Sequence, residues 1–273
     1  MNRKLMCVFA HPDDESLGMG GTLAKYAAQG VETSLVVATR GERGWGGRKE
    51  EYPGEMELGR IREAELRCTA QVLGIKELNF LGYMDGEVAR VKPMEIIQRI
   101  AGEIRRFQPQ VVVTFGPDGA YGHPDHVAIS QFTSAALLAA AEAGFPGLEH
   151  LPGHRVLKLY YMIDSLELVD LIKEVIGGIQ FPVDGKVRQH VGWLDWMITT
   201  RIDASAYWQK AWEGIECHTS QLVGMSALLQ MTPEQHQRAW GTGTFYRAIS
   251  LVNGGRAIEQ DLFEGVFFTP GVV

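Results

Sequence analysis

The chain has 273 residues, 45% of them hydrophobic, with 33 acidic against 26 basic side chains and a formal net charge of -7. That length supplies the core of one large domain or two small ones, and the acidic balance, without a face dense in Lys and Arg, argues against a nucleic-acid partner. No apolar run approaches the roughly 20 residues that span a bilayer, so membrane insertion is not expected.

In chain order, residues 5–10 (LMCVFA) read as a buried strand, and residues 17–29 as a helix ended by Gly30. Residues 33–38 (TSLVVA) read as a second strand. Residues 55–73 form a long helical pattern, with Leu58, Ile61, Ala64, Leu66, Ala70 and Leu73 on one side and Gly74 at its close. A third strand is expected at 77–81 and a helix at 93–107, with Pro93 in a favoured starting position. Residues 111–115 (VVVTF) give a fourth strand, 124–142 a helix and 157–163 a fifth strand. Strands alternating with helices imply βαβ units around a mostly parallel sheet buried on both faces. Residues 165–203 lack clean alternation and read as an insertion or lid. Helices are expected at 205–221, carrying Trp208, Trp212 and His218, and at 233–240, with a last strand at 262–268. Nothing marks a linker, so one domain spanning residues 1–273 with an elaborated C-terminal third is expected.

Two polar clusters follow directly on strands. AHPDDE, residues 10–15, follows the first, and GPDGAYGHPDH, residues 116–126, follows the fourth. In parallel α/β sheets ligands bind at the carboxyl ends of the strands. Carboxylates at a helix start are commonly dipole partners, but His11 beside Asp13, Asp14 and Glu15 adds a metal donor. The second loop, rich in glycine (Gly116, Gly119, Gly122), adds His123, Asp125 and His126. A catalytic zinc takes three His, Asp or Glu ligands and keeps a place for water. His11, Asp14 and His126 supply such a His2Asp set. Asp13, adjacent to a ligand, suits a general base. His123 suits oxyanion stabilisation or protonation of a leaving group, and Asp125 suits orientation of an imidazole.

These motifs, together with CHTSQ at residues 217–221, resemble the PIG-L/LmbE-like family of zinc-dependent N-deacetylases. That family includes GlcNAc-phosphatidylinositol de-N-acetylases, the deacetylases of mycothiol and bacillithiol biosynthesis, and chitobiose deacetylases. The resemblance runs from about residue 5 to 221 and is weakest over 165–205, a variable insertion or lid. It implies a Rossmann-like three-layer α/β sandwich, in agreement with the alternation above. It implies His11, Asp14 and His126 as metal ligands, Asp13 as base, and His123 in transition-state stabilisation with Asp125 modulating it. It further implies Tyr121 near the substrate carbonyl, Arg62 of the RxxEL pattern on a sugar hydroxyl, residues 39–44 (TRGERG) lining the pocket, and His218 near the site.

The function implied is removal of an N-acetyl group from an amino-sugar conjugate, with one Zn(2+) per subunit. His2Asp sites also accept Fe(2+), cobalt or manganese. The alternative is another reaction of activated water on the same platform, a hydratase or amidase acting on a small carboxylic acid or thiol conjugate. The partner expected is a small N-acetylated sugar conjugate. Relatives form trimers or hexamers, which leaves a homo-oligomer open. The short apolar core of the N-terminus is no secretion signal. Cys7, Cys68 and Cys217, odd in number and far apart, suggest no disulfide framework and a cytoplasmic setting. Gly18, Gly20 and Gly21 read as close-packing residues, His150, His154, His190 and His236 as structural, and the tryptophans as core or contact residues. Residues 43–57 and 165–203 are expected to form the pocket rim.

Overall fold

The computed structural model describes residues 2–177, 180–183 and 185–267. The first half runs β1 (Lys4–Phe9), α1 (Asp14–Ala28), β2 (Glu32–Val37), α2 (Glu55–Leu73), β3 (Glu77–Phe80), α3 (Pro93–Phe107), β4 (Val111–Phe115), a kinked turn α4 (Gly119–Gly122), α5 (Pro124–Ala141) and β5 (Lys158–Met162). The remainder adds α6 (Leu166–Ile176), the hairpin β6 (Gln180–Val183) and β7 (Lys186–Gln189), β8 (Thr200–Asp203), α7 (Trp208–Cys217), α8 (Thr219–Leu222), α9 (Pro233–Trp240) and β9 (Thr242–Ser250).

One seven-stranded sheet has the order β3-β2-β1-β4-β5-β9-β8. Its first five strands are parallel, whereas β9 runs antiparallel to β5 and β8 antiparallel to β9. β1 and β4 are buried along nearly their whole length, as interior strands covered on both faces must be. Helices α1 and α2 pack with α7, and α3 packs with α5. Right-handed crossovers put these two groups on opposite faces, which gives the three-layer α/β sandwich expected from the sequence. β1 and β4 are direct neighbours, in register from Leu5 opposite Val111 to Cys7 opposite Val113. From β1 the chain winds outward through β2 and β3; from β4 it winds the other way to β5. The order of winding therefore reverses between β1 and β4, the place where ligands bind in open α/β sheets.

The C-terminal third departs from expectation. The last strand is β9, not residues 262–268. Leu262–Gly265 is a turn, and Phe268 lies outside the described residues. Leu262 and Phe263 are apolar because they plug the core: the Phe263 ring meets Tyr26 edge to face at 5.6 Å, and the Leu262 N–H donates to the Tyr26 hydroxyl at 2.8 Å. The expected helix 205–221 is broken at His218 (φ -83°, ψ 58°), which ends α7 and begins α8. Within residues 165–203, β8 belongs to the main sheet, whereas α6 and the β6–β7 hairpin lie outside it.

The expectation of no disulfide is also corrected. Cys68 on α2 and Cys217 at the end of α7 are bonded, with Cα atoms 5.9 Å apart across 149 residues of sequence. Spacing could not reveal this pair, because only the packing of α2 on α7 brings the two together. A cross-link over so long a loop restricts the unfolded chain. Reducing it, or replacing Cys68 by Ser, is expected to lower stability by about 2–4 kcal/mol, read as a fall in the melting temperature.

A buried ionic cluster fixes the C-terminal segment to the sheet. The Glu259 carboxylate receives Lys158 Nζ at 2.6 Å, Tyr160 Oη at 2.7 Å, Thr200 Oγ1 at 2.8 Å and Asn253 Nδ2 at 2.6 Å, with Arg247 Nη1 at 2.9 Å. Burial pushes the carboxyl up, but this ring of donors outweighs it and holds the group at about 2, below the ordinary 4.5. The stabilisation is therefore complete above pH 4.5 and lost as the pH falls towards 2. Glu259→Ala leaves a buried lysine without its counter-charge and is expected to lose about 3–5 kcal/mol in denaturant unfolding. Glu259→Gln is expected to flatten the acid limb of the stability curve.

Candidate active site

Both motif loops start at the carboxyl ends of β1 and β4. After Phe9 the chain turns sharply: Ala10 N and His11 N both donate to Asp14 Oδ2, at 3.2 and 2.8 Å. Asp13 adopts a left-handed backbone conformation (φ 108°, ψ -27°), and α1 begins at Asp14. Of the three consecutive acids, Asp13 is the most accessible, its side chain 17% exposed; Asp14 is 9% exposed and Glu15 fully buried. After Phe115 the chain passes through Gly119 (φ 62°), where a Cβ would lie 2.9 Å from Val127 N. Only glycine fits that approach. His123 then caps α5, its Nδ1 accepting from Asp125 N at 3.2 Å, and His126 follows within the first turn. The Phe115 ring stacks on His126 at 4.0 Å and fixes its plane.

The loops meet. His11 Nδ1 lies 3.1 Å from His126 Nε2, His126 Nε2 lies 3.5 Å from Asp14 Oδ1, and His11 Nδ1 lies 3.9 Å from Asp14 Oδ2. Tetrahedral ligands about 2.0–2.1 Å from a zinc ion are roughly 3.3–3.4 Å apart; the His11–His126 and His126–Asp14 Oδ1 separations are of that order, while His11 faces the other Asp14 oxygen at the longer distance. On its far side, His11 Nε2 faces Asp85 Oδ1 at 3.0 Å and Asp125 Oδ2 at 3.2 Å. Burial lowers His11, but these carboxylates outweigh it and raise the imidazole well above the usual histidine range; a cation at Nδ1 would displace that nitrogen's proton and leave the other on Nε2, held by the carboxylates. Burial, then the charge on His11, hold His126 well below the usual histidine range, so it offers a lone pair. Burial pushes Asp14 up to about 7 against the pull of His11, so a cation beside it favours its charged form. Burial also raises Asp13, opposed by the Arg62 guanidinium.

His123 stands beside the trio, its ring centroid 4.8 Å from that of His11 and 5.0 Å from that of His126. One nitrogen of each of these three histidines falls within 4.8 Å of the other two. The Tyr121 ring is 5.1 Å from His126 and 6.1 Å from His123. The Asp125 carboxylate bonds to His11 and to the backbone N–H groups of Gly86 at 2.7 Å and Val88 at 3.1 Å, and the Asp125 N–H meets His123. Arg62 and His218, expected at the substrate, are buried, 3% and 1% exposed. The Arg62 guanidinium donates to Pro12 O, to Gly41 O at 3.0 Å and to Asp13 Oδ2 at 3.1 Å. His218 Nε2 lies 2.8 Å from Glu15 Oε1. Burial lowers the His218 pKa, but the Glu15 carboxylate outweighs this and raises it.

Asp85 and Glu15 were missed as site residues. Asp85 sits in the irregular chain after β3, where no motif marks it. It is held there by Arg43 N, which donates to its Oδ2 at 3.1 Å, and by its own N–H, which donates to Glu42 Oε2 at 3.2 Å. The segment TRGERG therefore braces the carboxylate behind His11.

The sequence profile described as "GlcNAc-PI de-N-acetylase" matches residues 6–137, which include both loops. A "1D-myo-inositol 2-acetamido-2-deoxy-alpha-D-glucopyranoside deacetylase" of Thermobifida fusca is 33% identical over 81% of this chain and 84% of its own. The chain belongs to the PIG-L/LmbE-like family. Another such deacetylase, from Thermobispora bispora, is 31% identical over 97% of this chain and 99% of its own. The "N,N'-diacetylchitobiose deacetylase" of Pyrococcus horikoshii shares the fold, with a TM-score of 0.66 over 90% of this chain and 83% of that one at 21% identity.

For this family member, Asp85→Ala removes one of the two carboxylates orienting His11. It is expected to weaken metal affinity about 10–100-fold, measured by competition with a chelator.

Proposed function

We propose that this protein hydrolyses the N-acetyl group of an amino sugar in a small conjugate, with an N-acetylglucosaminyl-inositol as lead substrate and zinc as its metal. The observation that carries the reading is the convergence of His11, Asp14 and His126, every pair within 3.9 Å, with the accessible carboxylate of Asp13 next in the chain. The deacetylase relatives, matched along most of their length, support the choice of an acetamido group on a sugar.

His11, Asp14 and His126 hold the cation in this reading. When bound, it polarises the amide carbonyl and acidifies water. The chain supplies the rest. Asp13, raised by burial, takes the proton from the attacking water. The water oxygen adds to the amide carbon. His123, through its Nε2–H, and Tyr121, both beside the trio, donate to the developing oxyanion, and the proton taken up by Asp13 passes to the departing nitrogen. The C–N bond breaks, giving acetate and a free amine. Asp85 and Asp125 keep His11 in the orientation that binds metal. Trp193 and Arg188 shape the rim, since Trp193 Nε1 donates to Asp118 Oδ2 at 2.8 Å and Arg188 packs against Gly122.

The test couples metal analysis to acetate release from acetamido-sugar conjugates. His126→Ala is expected to lose the metal. His123→Ala is expected to keep it and turn over about 100- to 1,000-fold more slowly, the usual effect of losing one oxyanion donor. Equal metal in both variants contradicts the assignment. Zinc-loaded protein that hydrates an unsaturated acid or splits another amide, and releases no acetate, contradicts the substrate.

A further inference from the structure

The C-terminal motif CHTSQ is not accounted for by the reaction above. The side-chain hydrogen bonds of its polar residues run inward, to other elements of the chain. His218 Nε2 lies 2.8 Å from Glu15 Oε1 and 3.0 Å from Thr69 Oγ1. Thr219 Oγ1, Ser220 N and Ser220 Oγ all donate to the Glu65 carboxylate on α2, at 2.8, 2.7 and 2.8 Å. Gln221 Nε2 donates to Gly44 O at 2.7 Å. The helix is broken at His218 so that four successive side chains reach α1, α2 and the loop after β2. The disulfide sits at the same junction, Cys68 preceding Thr69 and Cys217 preceding His218.

These contacts close a ring around Asp13. Its N–H donates to Glu15 Oε2 at 3.0 Å. The other oxygen of Glu15 meets His218, whose backbone carbonyl accepts from Gln221 N at 3.0 Å. Gln221 shares the Gly44 carbonyl with Arg62, and Arg62 returns to Asp13 Oδ2 and Pro12 O. At the centre of this ring, Asp13 has φ 108°, a conformation that L side chains rarely adopt. Such a strained conformation persists only where its surroundings over-determine it. Asp13 O accepts Ser16 N at 3.1 Å and Leu17 N at 3.0 Å, which sets its carbonyl. Glu15 sets its N–H, and Arg62 sets its carboxylate.

We propose that Glu15 and His218 act together as positioning residues that hold Asp13 in its left-handed conformation, aiming its carboxylate, and that neither touches substrate. The proposal rests on Asp13 being the base. A fully buried carboxylate needs a partner to stay where it is, and His218 is that partner. Without either member, the Asp13 N–H loses its acceptor or the acceptor loses its anchor. The backbone can then relax to negative φ and swing the carboxylate away.

The experiment compares Glu15→Ala, His218→Ala, the double variant and the conservative Glu15→Gln, each loaded with zinc. Displacing a base by about 1 Å commonly lowers the rate about 100-fold. Each single alanine variant is therefore expected to lose about 100-fold in kcat, with KM within about threefold and zinc content unchanged, as for an interaction made only in the transition state. The double variant is expected to be no slower than the worse single one, since the two act as a unit. Glu15→Gln keeps an acceptor for the Asp13 N–H and is expected to retain activity within about tenfold of wild type. A rise in KM with kcat preserved, or losses that multiply in the double variant, overturns the proposal. Crystal structures of Glu15→Ala and Glu15→Gln give a readout independent of turnover: Asp13 is expected to leave φ near 108° in the first and keep it in the second. Asp13 unchanged in Glu15→Ala overturns the proposal. A wild type that releases no acetate refutes the deacetylase reading alone, and the crystallographic comparison still decides the positioning. Should Glu15→Ala fail to fold, His218→Ala is read by the same kinetic and structural criteria.

Discussion

The site depends on one feature of the sheet: β1 and β4 lie side by side, and the chain leaves them in opposite directions. The helices that follow these strands cover opposite faces, which leaves the space beyond the two strand ends to the loops themselves. Both loops must cross that space, and both carry imidazole and carboxylate groups. A parallel pair in fixed register delivers them to the same depth with no contribution from loop flexibility. The 3.1 Å approach of His11 to His126 is a direct result.

The crowding that follows would be unfavourable if the charges were unmanaged. Asp13, Asp14, Glu15, Asp85 and Asp125 all sit at this end of the sheet, most of them buried. Each is answered by a specific partner. Glu15 meets His218, Asp13 meets Arg62, and Asp85 and Asp125 share His11 and nearby backbone N–H groups. Asp14 accepts two backbone N–H groups and faces both histidines. In the proposed reading, a divalent cation between Asp14, His11 and His126 completes this balance. In that reading the acids divide by environment into a metal ligand, an accessible base, and carboxylates that orient histidines.

Much of this was legible in the sequence, because strands buried on both faces are continuous apolar runs and their loops are short. The limits of α2, α3, β4 and α9 follow directly from Gly74, Pro93, the VVVTF run and Pro233. The two loops stood out because charge so close behind a buried strand needs a reason. What escaped reading depends on contacts between distant segments. Asp85 lies in irregular chain and matters only through His11, and Cys68 finds Cys217 only through helix packing. Residues 242–250 alternate weakly because β9 lies between β5 and β8 with mixed burial. Leu262 and Phe263 resembled a strand because they fill a hole in the core. Arg62 and His218, expected at the substrate, have their hydrogen bonds run inward to Asp13 and Glu15.

The most direct measurement is anomalous diffraction at the zinc edge from crystals of the metal-loaded protein. The account expects a single peak between the two loops, about 2.0–2.2 Å from His11 Nδ1, His126 Nε2 and one carboxylate oxygen of Asp14. A peak bound on the other side of His11 by Asp85 and Asp125, or one that omits Asp14, would contradict it.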